Sequence, residues 1–146
     1  RAAGGSLAQR IGAPGNEVVI WAAQLAEALA HTHAHGVVHG DVTPSNVFLD
    51  SNDLVLLGDF GSAVLLGDAT TGGRSTGHTP AYAAPERRRL AAPTLADDVY
   101  GLAATVMAVC QDHHELPGGP RRVLQRCLGA AGSRPDSLTL AHRLAR

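Results

Sequence analysis

The sequence predicts an α+β fold that is mainly helical and carries one small β-hairpin. Three observations point there. Trp21, Leu25, Ala28, Leu29 and Thr32 recur at helical spacing on one face of the segment after Glu17. Two short apolar runs, Val47-Phe48-Leu49 and Leu54-Val55-Leu56-Leu57, flank the turn-formers Asp50-Ser51-Asn52-Asp53, which is a hairpin pattern. From Asp97 onward the apolar pattern is helical again.

Taken in order, residues 1–15 are rich in Gly and Ala, with one short apolar stripe at Leu7 and Ile11, and predict a short helix and a loop. Pro14-Gly15-Asn16 supplies a break and a cap, and Glu17 opens the long helix. Gly36 ends it, since glycine enters the left-handed conformation past a last turn without a Cβ penalty. Val37-Val38 reads as a very short strand. In the hairpin that follows, paired strands lie about 4.8 Å apart. Asn46, just before the first strand, therefore returns close to Asp59, just after the second, and Asp41 lies in the loop feeding the same end. Three oxygen-bearing side chains thus share one rim of a small sheet. Residues 62–83 are rich in Gly, Thr and Ser and form a connection too long to be merely a link. Val99, Leu102, Ala103, Val106 and Val109 mark a largely apolar helix. Pro117-Gly118-Gly119-Pro120 is expected to break it, a further helix runs through Val123, Leu124 and Cys127, and a last one from about Asp136 to Ala145. No internal repeat is present.

The 146 residues suit one domain or one lobe of a larger one. Hydrophobic residues make up 45% but aromatics only 3%, so the core must be Leu, Val and Ala packing. The formal charge of −1 offers nothing to a nucleic acid or a membrane surface. All positive charge is arginine, and the triplet Arg87-Arg88-Arg89 is too short to read as a polyanion site. Residues 99–110, the longest apolar run, fall well short of the ~20 needed to span a bilayer, and there is no signal-peptide pattern. A cytoplasmic location is expected, compatible with a membrane-anchored parent. Cys110 and Cys127 are expected to be buried, reduced thiols. The lysine-free mixture of Ala, Gly, Arg and Leu suits a GC-rich bacterial genome, and the start on Arg1 suggests a chain cut from something longer. His31 and His35 lie four apart on a helix without a third ligand, so a metal is not expected there. Asp112-His113-His114-Glu115 reads as a solvated loop.

The motifs now in view resemble the C-terminal lobe of the bacterial eukaryotic-like (Hanks-type) serine/threonine protein kinases. The catalytic-loop pattern H-R-D-L-K-x-x-N stands here as His39-Gly40-Asp41-Val42-Thr43-Pro44-Ser45-Asn46. D-F-G stands as Asp59-Phe60-Gly61, and A-P-E as Ala84-Pro85-Glu86 behind Thr79-Pro80-Ala81-Tyr82, which looks like the substrate-facing T-P-x-Y stretch. Asp98-Val99-Tyr100-Gly101-Leu102 resembles the start of the central buried helix, and Arg134-Pro135 the arginine between the last two helices. The resemblance covers the whole chain but only the second lobe of that fold: a catalytic loop at 39–46, D-F-G at 59–61, an activation segment at 59–86 and a helical remainder at 97–146, with the hairpin at the catalytic cleft.

What the resemblance implies is transfer of the γ-phosphoryl group of ATP, with Mg²⁺, to Ser/Thr hydroxyls of proteins. Asp41 would accept or orient the hydroxyl proton, with Thr43 beside it in the catalytic loop. Asn46 and Asp59 would hold the metal and, through it, the nucleotide. Phe48 would lie under the adenine, and Thr79 and Tyr82 would face the substrate. His39 and Phe60 would stack, with Gly61 completing that motif. Asp98 would accept backbone N–H groups of the catalytic loop, and Glu86 would pair with Arg134. Thr70, Thr71, Ser75 and Thr76 are phosphosite candidates.

Four departures accompany these matches. Nothing in the chain resembles the first lobe, with its glycine-rich phosphate loop and strand lysine, so the missing lobe is the implied partner. Thr43 replaces the catalytic-loop lysine and supplies no positive charge. Gly40 replaces the arginine that receives a phosphorylated activation loop. The span from Asp98 to Arg134 is short, so the helix that often docks substrates is expected to be trimmed or absent. These departures leave a second function open, a pseudokinase-like scaffold that binds without turnover. His-Gly-Asp followed by Asp-Phe-Gly also resembles the aminoglycoside and choline phosphotransferases, a lesser alternative because those typically lack the A-P-E segment and the helix opening with Asp98. The face exposing Phe48 and Phe60 is expected to be adhesive in the isolated lobe.

Overall fold

A computed structural model describes residues 3–68, 77–88 and 92–146 of the chain. Four helices form its base: α1 (Gly15–Ala34), α2 (Leu95–Val109), α3 (Gly118–Cys127) and α4 (Ser137–Leu144). Strands β1 (Val37–Val38), β2 (Val47–Leu49), β3 (Val55–Leu57) and β4 (Val64–Leu65) pair antiparallel as two separate ribbons, β1 with β4 and β2 with β3. The architecture is therefore α+β and mainly helical.

The core forms where the helices meet. α1 packs against α4 and α2, and the buried set runs from Val18, Trp21, Ala22, Leu25 and Leu29 of α1 to Leu102 and Val106 of α2 and Leu124 and Leu140 of α3 and α4. Leu25, Leu29, Leu102, Leu124 and Leu140 are fully buried, so branched aliphatic packing does here what aromatics do in other cores.

α1 starts earlier than its sequence suggests. Pro14 is the cap residue, its fixed φ suiting a helix entrance, and Gly15 and Asn16 already lie inside the first turn. Gly15 is also pressed against the Glu115 backbone, where a Cβ would sit 2.7 Å away. The helix ends at Ala34, and Gly36 follows in the left-handed region at φ 73°. Leu7 is buried in a 3-10 turn (Leu7–Arg10), but Ile11 is exposed, so the inward stripe expected of that pair does not exist.

The β2–β3 hairpin pairs Val47 with Leu57, Phe48 with Leu56 and Leu49 with Val55. Its turn is held by Asp50, whose Oδ1 accepts the N–H groups of Asn52 and Leu54, while Asp53 takes a left-handed φ of 58°. Gln24 of α1 anchors the hairpin by accepting the Val55 N–H at 2.8 Å. On the other side residues 4 and 5 lie along β2, exchanging hydrogen bonds with Leu49.

Two further corrections concern the connections. The Gly/Thr/Ser-rich stretch is not wholly a loop, because Val64 and Leu65 pair with Val38 and Val37. Pro117-Gly118-Gly119-Pro120 does not break a helix but starts one: α2 stops at Val109, a 3-10 turn (His113–Glu115) follows, and Pro117 caps α3. Between α2 and α3 only this 3-10 turn intervenes. α2 itself opens with a capping box, Thr94 with Asp97, at Leu95. Both cysteines are free and buried; burial pushes the Cys110 thiol up and the Cys127 thiol up to about 11.

Candidate active site

The rim is assembled by one buried imidazole. His39, fully buried at the end of β1, is in contact with both halves of the site: its Nε2 donates to the Gly58 carbonyl at 2.7 Å and its Nδ1 accepts the Asp41 N–H at 3.2 Å. A carbonyl only accepts and an N–H only donates, so these partners assign the ring as the neutral Nε2–H tautomer. Asp41 and the residue preceding Asp59 are thereby held one ring apart. The same ring packs edge-on against Phe60, with centroids 4.8 Å apart and planes at 67°.

Asn46 closes the third side. Its Nδ2 donates to the Asp41 carbonyl at 2.8 Å and to Asp41 Oδ2 at 3.2 Å, while its own carbonyl accepts the Gly58 N–H at 2.9 Å. Asp59 follows Gly58 in a left-handed conformation, φ 52°, with its Oδ1 accepting the Gly61 N–H. The structure therefore brings Asp41, Asn46 and Asp59 to one rim through a short set of contacts around Gly58. Gly58 was not singled out in the sequence, although it directly precedes the D-F-G motif. A Cβ there would lie 2.8 Å from Phe48 Cε2, so the half-buried Phe48 ring occupies the space a side chain would need.

Two acceptors stay uncommitted. Among the described residues, Asp59 Oδ2 and the side-chain oxygen of Asn46 receive no protein hydrogen bond. No cluster of three His, Cys, Asp or Glu side chains forms a self-sufficient metal site among the described residues. A pair of free hard oxygens without a complete cage fits Mg²⁺, which keeps waters and takes substrate phosphates as ligands.

The segment before Pro80 reaches the rim at Thr79, whose backbone N–H donates to Asp41 Oδ1 at 2.8 Å. Tyr82 closes the following 3-10 turn (Pro80–Tyr82) with its N–H on the Thr79 carbonyl. Thr43 is buried, and its carbonyl accepts the Asn46 N–H at 3.1 Å. Thr70, Thr71, Ser75, Thr76 and Arg89 lie outside the described residues.

Beneath the rim sits Asp98, buried to 1% exposure. Its Oδ1 accepts the Gly40 N–H and its Oδ2 accepts the His39 N–H, both at 2.8 Å, so one carboxylate clamps two successive backbone donors of the loop after β1. Oδ2 also meets His33 Nε2 at 2.8 Å, and His33 Nδ1 meets the Ser137 hydroxyl of α4 at 2.9 Å. His33 and Ser137 as a relay from α4 to Asp98 are invisible to spacing, since they lie 104 residues apart. Gly40 is confined as well as clamped: its φ is 83°, and a Cβ would stand 2.7 Å from the Ser62 carbonyl oxygen. A larger residue there requires the backbone to move.

Farther down, Glu86 and Arg134 form a two-pronged ion pair, with Nη2 on Oε2 at 3.1 Å and Nη1 on Oε1. Arg134 spends its remaining donors on the Ala96 and Gly129 carbonyls, so all five are satisfied, and its guanidinium lies 5.0 Å from the Tyr100 ring centroid. The Arg134 guanidinium holds the Glu86 carboxyl below the usual carboxylate range, against the opposing pull of burial. Asp97 moves the other way: burial raises its carboxyl, partly countered by the Thr94 N–H.

The sequence profile of the protein kinase domain family matches residues 2–126, and the chain belongs to that family. It is similar to the serine/threonine-protein kinase PknK of Mycobacterium bovis, at 38% identity over 104 residues, 70% of this chain and 9% of that protein. It is 41% identical over 91 residues to the DNA damage-responsive serine/threonine-protein kinase RqkA of Deinococcus radiodurans, 60% of this chain and 14% of that one. The dual specificity protein kinase zak2 of Dictyostelium discoideum is 32% identical over 116 residues, 74% of this chain and 17% of its own. The chain thus spans less than a fifth of the length of these relatives.

Proposed function

We propose that residues 1–146 are the C-terminal, substrate-binding lobe of a bacterial eukaryotic-like serine/threonine protein kinase that works in the cytoplasm, its first lobe supplied by another part of the polypeptide. The reaction is transfer of the γ-phosphoryl group of Mg-ATP to a Ser or Thr hydroxyl of a protein. One observation carries this reading: the His39 ring ties Asp41 to the residue before Asp59, while Asn46 bonds to both sides. Kinase catalysis is mainly positioning and electrostatic stabilisation, which is what such a rim provides.

When bound, Mg-ATP supplies the phosphoryl group and the positive charge that neutralises it. Asn46 and Asp59 hold the metal through their free oxygens. Asp41, aimed by the Thr79 N–H and the Asn46 amide, accepts and orients the substrate hydroxyl proton, a role worth about 10²–10⁴-fold. Phe48 floors the adenine site. Thr79 and Tyr82 face the substrate segment, and Thr43 offers a hydroxyl in place of a lysine charge. Asp98, Glu86 and Arg134 act through the backbone they hold.

A scaffold that binds without turnover is the second reading. It is favoured by Gly40, confined where an arginine side chain has no room, and by the burial of Thr43. The two separate in one assay. The upstream coding segment is restored and labelled phosphate transfer from Mg-ATP to a Ser/Thr protein substrate is followed. The kinase reading expects transfer that an Asp59→Ala protein lacks, whereas equal signals from the two reject it. The 146-residue chain alone is expected to show no turnover.

A further inference from the structure

The catalytic rim leaves one charged feature of the chain unused. A cleft of about 580 Å³ opens between α3 and α4, and four of its lining residues are Arg122, Arg126, Arg143 and Arg146. All four are exposed, and no Asp or Glu lines the cleft. The ion pairs among the described residues use Arg10, Arg87 and Arg134 instead, so these four have no carboxylate partner there. Arg122 and Arg126 are one turn apart on α3, a like-charge spacing that weakens a helix slightly and calls for an anion.

Two of the guanidiniums are already aimed. Arg122 Nε donates to the Gly118 carbonyl at 3.0 Å and Arg126 Nε donates to the Ser133 carbonyl at 2.8 Å. Each side chain is thereby pinned at its inner nitrogen, while its terminal nitrogens have no hydrogen-bond partner among the described residues. That is the fork geometry that grips carboxylates or phosphates with little further loss of freedom.

The charged cleft adjoins an apolar one. A second cleft of about 450 Å³ shares Pro117, Pro120 and Arg146 with the first and runs on to Val19, Ile20 and Ala23 of α1. Ile20 is 57% exposed there. Glu27 is the single acid on this wing.

We propose that the two clefts form one docking groove for an acidic segment of a partner protein, its carboxylates meeting the arginines of α3 and α4 and its apolar side chains meeting Ile20. The apolar wing decides between acidic partners: a nucleic acid satisfies the arginines but has nothing to place against Val19, Ile20 and Pro117, whereas a peptide fills both. None of the residues lining the groove belongs to the rim around Asp41.

The test is fluorescence anisotropy with a labelled peptide of repeating Glu-Glu-Leu, titrated with the 146-residue chain, alongside an amide version of the peptide and an oligothymidylate. The expected result is saturable binding of the acidic peptide that the amide version lacks. It weakens at least about tenfold in R122E/R126E and about threefold in Ile20→Ser. Arg10→Gln, whose arginine pairs with Asp53 elsewhere, leaves it unchanged. Arg122, Arg126 and Ile20 are exposed and Arg10 is partly so, and retained helical circular dichroism shows that the variants fold. No saturable binding at about 100 μM overturns the proposal. So does equal weakening by Arg10→Gln, or oligothymidylate binding as tight as the peptide's with no effect of Ile20→Ser, which marks a non-specific polyanion surface.

Discussion

The rim of the site and the helical base beneath it hold their polar residues by different means. At the rim, Asp59 stands at φ 52° with one carboxylate oxygen on a local N–H and the other free, and Asp41 is held by an amide and a single backbone donor. In the base, Asp98 takes two backbone N–H groups and an imidazole, and Arg134 has every donor satisfied. The rim keeps acceptors vacant and accepts the conformational cost. In the base, these two groups are saturated. Open acceptors are what the proposed metal and substrate hydroxyl would need, and the saturated Asp98 and Arg134 below hold the rim's backbone in one shape.

This contrast can be broken from below first. Asp98→Ala orphans the His39 and Gly40 N–H groups and the His33 ring together, and is expected to cost about 3–5 kcal/mol or prevent folding, measured as the urea midpoint. Asp59→Asn and Asp41→Asn, by contrast, are expected to stay within about 0.5 kcal/mol of the wild type. A large loss at the rim, or none at Asp98, erases the distinction.

Arg134→Met comes next, at about 3–5 kcal/mol, because it leaves Glu86 half-buried without its partner. Glu86→Gln sharpens the point through pH. The Glu86 carboxyl is lowered in the folded state, so its contribution is fully present above its unfolded value of about 4.3 and disappears as pH falls through the lower folded value. The stability gap between wild type and Glu86→Gln should therefore be constant from pH 6 to 5 and close below about pH 4. The raised Asp97 carboxyl has the opposite sign, favouring the fold at acid pH and ceasing to do so as pH rises through its folded value.

Gly40→Ala is a smaller perturbation, about 1–3 kcal/mol, from a left-handed backbone and a Cβ forced onto Ser62. The smallest effect is chemical rather than structural. Cys127, with its thiol pushed up to about 11, should label with a thiol reagent at pH 8 only at the rate of unfolding. Fast labelling of the folded protein would mean that the base is looser than its core suggests.

How much of this was legible in the chain depended on distance. The hairpin and the meeting of Asn46 with Asp59 follow from four turn residues and strand pairing, all local. β4 was not legible, because its two residues sit in a stretch whose Gly, Thr and Ser content reads as loop and its partner β1 lies 27 residues earlier. Pro117-Gly118-Gly119-Pro120 carries breaker chemistry but serves as a helix start, since Pro120 needs no N–H in a first turn. The Glu86–Arg134 pair was accessible through family resemblance alone, 48 residues apart. The His33–Ser137 relay and the grouping of Arg122 with Arg143 depend on how α3 and α4 pack, which no local pattern encodes.

We propose that Asp41 and Asp59 act as one unit on one bound nucleotide, and a double-mutant cycle on kcat/KM in the two-lobed protein decides it. The account predicts that Asp41→Asn and Asp59→Asn each lose at least about 10²-fold, and that the double variant loses little more than the worse single one. Losses that multiply, or single variants that retain wild-type activity, would contradict it.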